Sequence, residues 1–246
     1  MRPHLLPAKP VFFVTPIDGR SAATNSDRDG SAKTCFPALE LLKWLGLAAM
    51  LVDHVARFVF NSPSSLSEHI GTFAFPFFAV ALTAGLAQRN LSRYLCRRFY
   101  VGIVLAQLLW IPVVGIFPVN VLATLFLGVL VYEVERAHGP IPALALFLGS
   151  LFVEFGPFGV LMVYALRWSF HRLELSPILL ALIAAIFLTP WNSGSPLAPV
   201  AVGMAYLVVL SPFGLPRCRG IFYYAYILQW PLLWLAGALV ASSASF

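Results

Sequence analysis

The chain has 246 residues, 60% of them hydrophobic and 11% charged, with a mean hydropathy of +0.85 and a formal net charge of +6. A soluble domain of this length keeps roughly a quarter of its residues charged, and so few polar residues cannot cover a water-facing surface. A soluble globular protein is excluded, and the composition specifies a polytopic membrane protein. The only lysines are Lys9, Lys33 and Lys43, and most arginines fall between apolar runs. Basic loops of that kind report membrane topology, which leaves no case for nucleic-acid binding.

Residues 1–38 form a polar cytoplasmic tail. Its stretch "DGRSAATNSDRDGSAKT" (18–34) is rich in Ser, Asp and Gly and has no periodicity, the signature of disorder. "PVFFVTP" is too short for the apolar core of a signal peptide, so the first long apolar helix serves as the insertion signal. Residues 39–241 then form the membrane domain. Apolar runs separated by Pro, Gly and Arg give about nine spans, roughly 41–60, 70–88, 98–117, 119–134, 141–155, 157–170, 177–190, 197–211 and 220–241. Each must be helical, because lipid offers the backbone no hydrogen-bond partners; the fold class is an all-α transmembrane bundle. The runs 141–155 and 157–170, split by "FGPFG", read as two re-entrant half-helices meeting inside the protein.

Loops 89–97, 135–140, 171–176 and 212–219 are basic, whereas 61–69, 118, 156 and 191–196 contain no Lys or Arg. The positive-inside rule places the N-terminus in the cytoplasm and the C-terminus outside. Cys35, Cys96 and Cys218 all fall on the cytoplasmic side, where thiols stay reduced, and they lack metal-ligand spacing. His69, His138 and His171 lie in or near loops without a second ligand at i+3 or i+4, so no metal site is expected.

The first span, "LLKWLGLAAMLVDHVARFVF", carries Lys43, Asp53, His54 and Arg57. At about 100° per residue with Lys43 as zero, Met50 falls near −20°, His54 near 20° and Arg57 near −40°. Lys43 and His54 share one face, about 16 Å apart. Asp53 lies off that line near −80° but reaches Arg57 at i+4. Snorkelling to the headgroups accounts for Lys43 and Arg57 but not for Asp53 and His54. Ionisable groups this deep mark a pathway or a reaction. His54 suits a general base or a covalent acyl carrier, with Asp53 orienting it or balancing Arg57.

Glu154 closes a short span beside a helix break, and such breaks build binding sites in membranes. Asn120 is placed to N-cap the fourth span. Tyr223, Tyr224 and Tyr226 suit an interfacial aromatic belt, and Gln229 suits helix packing. The arginine cluster Arg89, Arg93, Arg97 and Arg98 sets topology or holds a phosphorylated ligand. There is no Walker loop, dinucleotide fingerprint or internal repeat.

From residue 39 to about 240 the chain resembles the TraX family of conjugative-plasmid membrane proteins that N-acetylate pilin. The resemblance rests on "LLKWLGLAAMLVDHVARFVF", on "IGTFAFPFFAVALTAGLAQRNLSRYLCRRFYVGIVLAQLLWIP" and on "NVLATLFLGVLVYEVE". The family's basic residue followed by Met-x-x-Asp-His matches Lys43, Met50, Asp53 and His54. Its Phe-Pro-x-Phe segment matches Phe75, Pro76 and Phe78, running on to Gly85 and Arg89. Its Asn-opened span matches Asn120, and its acidic-aromatic-Gly turn matches Glu154, Phe155 and Gly156. The polar tail suggests the broad-host-range plasmid form. The family is similar in turn to multi-span membrane acyltransferases, whose basic residue, ten residues and His match Lys43 to His54. Where a Tyr-x-x-His segment is expected in the last span, this chain has Tyr226 and Gln229, so no role of that His carries over.

The resemblance implies an inner-membrane, multi-pass N-acetyltransferase that takes acetyl-CoA from the cytoplasm and acetylates the pilin subunit. His54, Asp53, Lys43 and Glu154 would form the catalytic set, and Arg89, Arg93, Arg97 and Arg98 would bind the phosphates of acetyl-CoA. The partners it implies are the pilin substrate and membrane lipid. A non-enzymatic reading, a transporter-like or assembly subunit of the transfer apparatus, makes the polar helix a proton or packing feature.

Overall fold

A computed structural model describes residues 36–243 apart from 63, 88–90, 173, 192–193, 217 and 219. Residues 1–35 of the predicted tail lie outside the described residues. The first span is helix α1 (Leu39–His54), which continues without a break into a π-helical turn over Val55–Val59. A short α2 (Ser65–Gly71) and then α3 (Ala74–Ala87) return along it. They are followed by α4 (Arg93–Val114), α5 (Val121–His138), α6 (Pro140–Leu148), α7 (Gly156–Arg172), α8 (Leu175–Ile186), α9 (Ala198–Leu210) and α10 (Ile221–Ser243). Among the described residues there is no strand, only an isolated bridge between Val119 and Val153. The all-α expectation holds. Ser65–Ala87, Arg93–Pro112 and Ile221–Val240 are long and apolar enough to cross a membrane, and three further apolar helices are shorter. This is the architecture of a membrane protein.

Each predicted run is represented by a helix, and three differences have physical causes. The loop predicted at 61–69 contains α2. Ser64 and Ser67 form a reciprocal capping box at its start, a local signal too short to register as an apolar run. The two half-helices predicted at 141–155 and 157–170 are present as separate helices of unequal length. α6 is a nine-residue, mostly exposed helix ending in a 3₁₀ turn (Gly149–Phe152). By contrast, α7 is a 17-residue core helix with Val160, Met162, Val163, Ala165 and Leu166 fully buried.

The third difference is the entry to α5. Asn120 does N-cap it, accepting from the Leu122 N–H at 3.1 Å. Its Nδ2 also donates to the Ile103 carbonyl and to Gln107 Oε1, both at 3.0 Å. Ile103 lies about 15 Å along α4 from Arg93. The connection 115–120 therefore turns back, and α5 begins at mid-height against α4. Non-helical backbone at that depth is tolerated where protein covers it and its polar groups are paired. Gln107 meets that need by bonding the Asn120 N–H at 2.9 Å and the Ile116 carbonyl at 3.0 Å.

The core centres on α3 and α7. α3 packs against α1, α7 and α9, and it is apolar on nearly every side because nearly every side is covered by protein. α4 and α10 pair with each other, and α10 also packs against the π turn. Their many exposed Leu, Val and Trp side chains suit a lipid-facing position. Arg93 and Lys43 mark one end of the bundle, called the basic end below; the π turn and α2 mark the other.

Candidate functional site

The apolar–polar periodicity of α1 turns one stripe towards α10. Lys43 Nζ lies 5.5 Å from the centre of the Phe222 ring. About two turns along, Gln229 Nε2 approaches Met50 Sδ at 3.5 Å, and Gln229 Oε1 lies 3.2 Å from His54 Nδ1. The His54 ring packs 4.9 Å from Trp230, which is enclosed by Phe58 at 5.5 Å and Trp110 at 4.4 Å. The predicted shared face of Lys43, Met50 and His54 is thus observed.

Arg57 departs from that face. A π turn takes more residues per turn than an α turn, so Arg57 falls behind the stripe and swings to the Asp53 side. Its Nη2 lies 3.4 Å from Asp53 Oδ1 and 3.8 Å from Glu68 Oε1. Asp53 balances Arg57 here, one of the two roles its position allowed. α2 comes close enough for this because residue 71 is glycine: a Cβ there would stand 2.6 Å from Asp53 Cβ.

Glu154 sits at the junction of the two irregular connections. The Val119–Val153 bridge holds them together, with Val119 N–H donating to Phe152 O and Glu154 N–H to Val119 O, both at 2.8 Å. Gly156 closes the turn at φ +55, a left-handed conformation that glycine adopts without strain. Phe155 stacks flat on Phe75 at 4.1 Å, so the two motifs around Phe75 and Glu154 touch in space. The Glu154 carboxylate lies near the Val121 backbone N–H at the start of α5, where the helix dipole favours an anion. Its Oε2 is buried without a hydrogen-bond partner. The Tyr226 hydroxyl lies in the same neighbourhood.

Between α1, α3, α4, α5 and α10 lies a cavity of about 620 Å³. Lys43, Tyr94 and Arg98 line its basic end, and Val121, Leu125 and Tyr226 line its inner part. Lys43 Nζ is paired with Glu40 Oε1 at 2.7 Å, and Glu40 Oε2 accepts from the Cys218 N–H at 3.5 Å. Arg98 is held over the rings of Tyr223 at 5.1 Å and Tyr94 at 5.8 Å. Among the described residues, Arg98 is the one predicted phosphate-binding arginine that lines this cavity. Arg93 and Arg97 are exposed on other faces of α4, because successive helical residues point about 100° apart. Arg89 lies outside the described residues.

Tyr226, predicted for an interfacial belt, is instead buried, whereas Tyr224 is exposed. Tyr226 lines the cavity, whereas Gln229, one turn further along α10 and in contact with His54, does not. The sequence therefore placed Lys43 and His54 on one face without showing that Lys43 lines the cavity and His54 does not.

A second polar cluster escaped the sequence reading. Arg167 is 1% exposed. Its Nε and Nη2 both donate to Glu133 Oε1, at 3.0 and 2.6 Å. Beside it Tyr164 donates to Glu135, and Arg136 meets His171 at 2.8 Å. These residues join the far halves of α5 and α7 and do not line the cavity.

Among known families, the model described as TraX protein matches residues 38–236. No curated protein and no solved structure matches the chain.

Proposed function

The chain belongs to the TraX family and is a conjugation-related protein; on that premise we propose that it is a membrane-embedded N-acetyltransferase. Its acceptor is the N-terminal amine of the conjugative pilin subunit, its donor is cytoplasmic acetyl-CoA, and its location is the inner membrane. The observation that carries this reading is the cavity of about 620 Å³ with Lys43 and Arg98 at one end and an apolar inner part. That volume lies within the usual range of small-molecule sites. Two cations suit the phosphates of acetyl-CoA, and Phe78, Leu82 and Leu125 suit its uncharged arm.

Lys43 binds phosphate in this reading. It stands about three helical turns from His54, too far to polarise a carbonyl that His54 serves. His54 accepts the proton released as the acceptor amine adds to the acetyl carbonyl, and the thiolate of CoA leaves as the tetrahedral adduct collapses. His54 does not line the cavity, so the acetyl group must pass beyond the cavity to come within reach of His54. Glu154 lies nearer the inner part of the cavity through Val121 and Tyr226, which makes it the competing proton acceptor. Asp53 holds Arg57 and keeps its charge off the imidazole. Transfer through an acetyl-His54 intermediate uses the same geometry.

Mass spectrometry of the pilin N-terminus tests the assignment, with wild-type protein, His54→Ala and Glu154→Gln expressed at equal levels. The acetyl mass is expected with wild type and lost with His54→Ala. Its persistence in His54→Ala together with loss in Glu154→Gln transfers the base role to Glu154. No acetyl mass in any strain favours the non-enzymatic assembly subunit.

A further inference from the structure

Gln229 is 4% exposed and lies in the middle of an apolar helix, where an unpaired carboxamide is costly. A carboxamide has one accepting end and one donating end. Both of its neighbours are on α1: Met50 Sδ at 3.5 Å and His54 Nδ1 at 3.2 Å. A thioether has no proton to give and accepts weakly, so it takes the NH₂ end. The reverse arrangement would set the carbonyl oxygen against a sulfur lone pair and leave it unsatisfied. Oε1 is therefore committed to His54, and an oxygen that only accepts requires a proton on Nδ1.

We propose that Gln229 is a positioning residue that fixes His54 as the Nδ1–H tautomer and so leaves Nε2 as the nitrogen with the free lone pair. This rests on the acetyltransferase reading for its consequence, though not for the tautomer itself. Met50 belongs to the same device: it sits one turn before His54 on the stripe and fixes which end of the carboxamide faces the imidazole. Trp230, the next residue along α10, packs against the His54 ring at 4.9 Å and limits its rotation about the Nδ1 contact. A base or acyl carrier works only from an unprotonated nitrogen, and in the free ring the proton exchanges between both. Holding it on Nδ1 makes Nε2 the single reactive atom, the division of labour that a third, orienting group gives a catalytic histidine.

The test uses full-length protein labelled with ¹⁵N-histidine in lipid nanodiscs, at alkaline pH where the imidazole is neutral. His54 is assigned by comparison with His54→Gln. Wild type is expected to show a pyrrole-type Nδ1 and a pyridine-type Nε2. Gln229→Leu is expected to move His54 towards the Nε2–H form, and Gln229→Glu, which keeps an acceptor at that place, to retain the wild-type pattern. In the acetylation assay Gln229→Leu should lose about 10²-fold in kcat with the KM for acetyl-CoA little changed, and Gln229→Glu should recover most of it. A protonated Nε2 in wild type, or an unchanged tautomer in Gln229→Leu, overturns the proposal. Inactive wild-type protein with the expected tautomers would instead remove the acetyltransferase reading and leave the positioning role standing. Folding of Gln229→Leu is checked by its thermal transition, and if it fails, Gln229→Met is substituted for it in both measurements.

Discussion

Arg167 places a full positive charge 1% exposed inside the pairing of α5 and α7. Glu133 Oε1 accepts from two of its nitrogens, the Tyr132 ring lies 5.5 Å from the guanidinium carbon, and Nη1 has no hydrogen-bond partner. A buried ion pair is a weak source of net stability, but removing one partner strands the other. Arg167→Met is expected to cost about 3–5 kcal/mol, whereas Arg167→Met with Glu133→Leu should recover most of the loss. Thermal unfolding of the purified protein in detergent, run as a double-mutant cycle, reads the difference. A double variant whose loss equals the sum of the two single losses would show that the pair carries no coupling. Nothing in the sequence singles this pair out. Its members are 34 residues apart, and each stands near a basic loop whose charge topology already explains. The stripe on α1 was legible because 3.6-residue periodicity is a local property. Its partner Gln229 was not, since 175 residues separate it from His54.

At the scale of elements, glycines decide how closely the helices approach. A Cβ at Gly128 of α5 would stand 2.5 Å from Val163 Cβ and 2.9 Å from the Val160 carbonyl oxygen of α7. Neither atom is the end of a flexible chain, so Gly128→Ala must push α5 and α7 apart. Overpacking of this kind costs about 1–3 kcal/mol, and small residues at such contacts are what let membrane helices pack tightly. Gly203 of α9 has nothing within 4 Å of its Cβ position, and Gly203→Ala should leave the melting temperature unchanged. A melting temperature equally unaffected by both substitutions would contradict the close contact. Helices are legible in an apolar sequence because lipid leaves the backbone no other choice. Which glycine touches which neighbour is not, because that depends on a tertiary contact. The π turn is equally silent: "VARFV" has no residue that an α-helix would reject, yet it sends Arg57 to Asp53 and away from the stripe.

Over the whole molecule, the proposed chemistry depends on sidedness. Acetyl-CoA is made in the cytoplasm, so the end of the cavity lined by Lys43 and Arg98 must face that compartment, as the basic loops predict. Cys218 offers a native probe, because it is a free, partly exposed thiol that lines the same cavity. With Cys35 and Cys96 replaced by serine, Cys218 is expected to react with a membrane-impermeant maleimide in inverted vesicles and not in spheroplasts. A Ser62→Cys variant, exposed beyond the π turn, should show the opposite pattern. Acetyl-CoA added to the inverted vesicles should slow the labelling of Cys218, and the effect should weaken in Arg98→Ala, which removes a cation from the cavity but leaves His54 and its partners untouched. Labelling of Cys218 from the outer side would invert the molecule and separate the cavity from its donor, and no acetylation result could then be assigned to this site. Correct sidedness without protection would leave the bundle oriented as proposed but take acetyl-CoA out of the cavity.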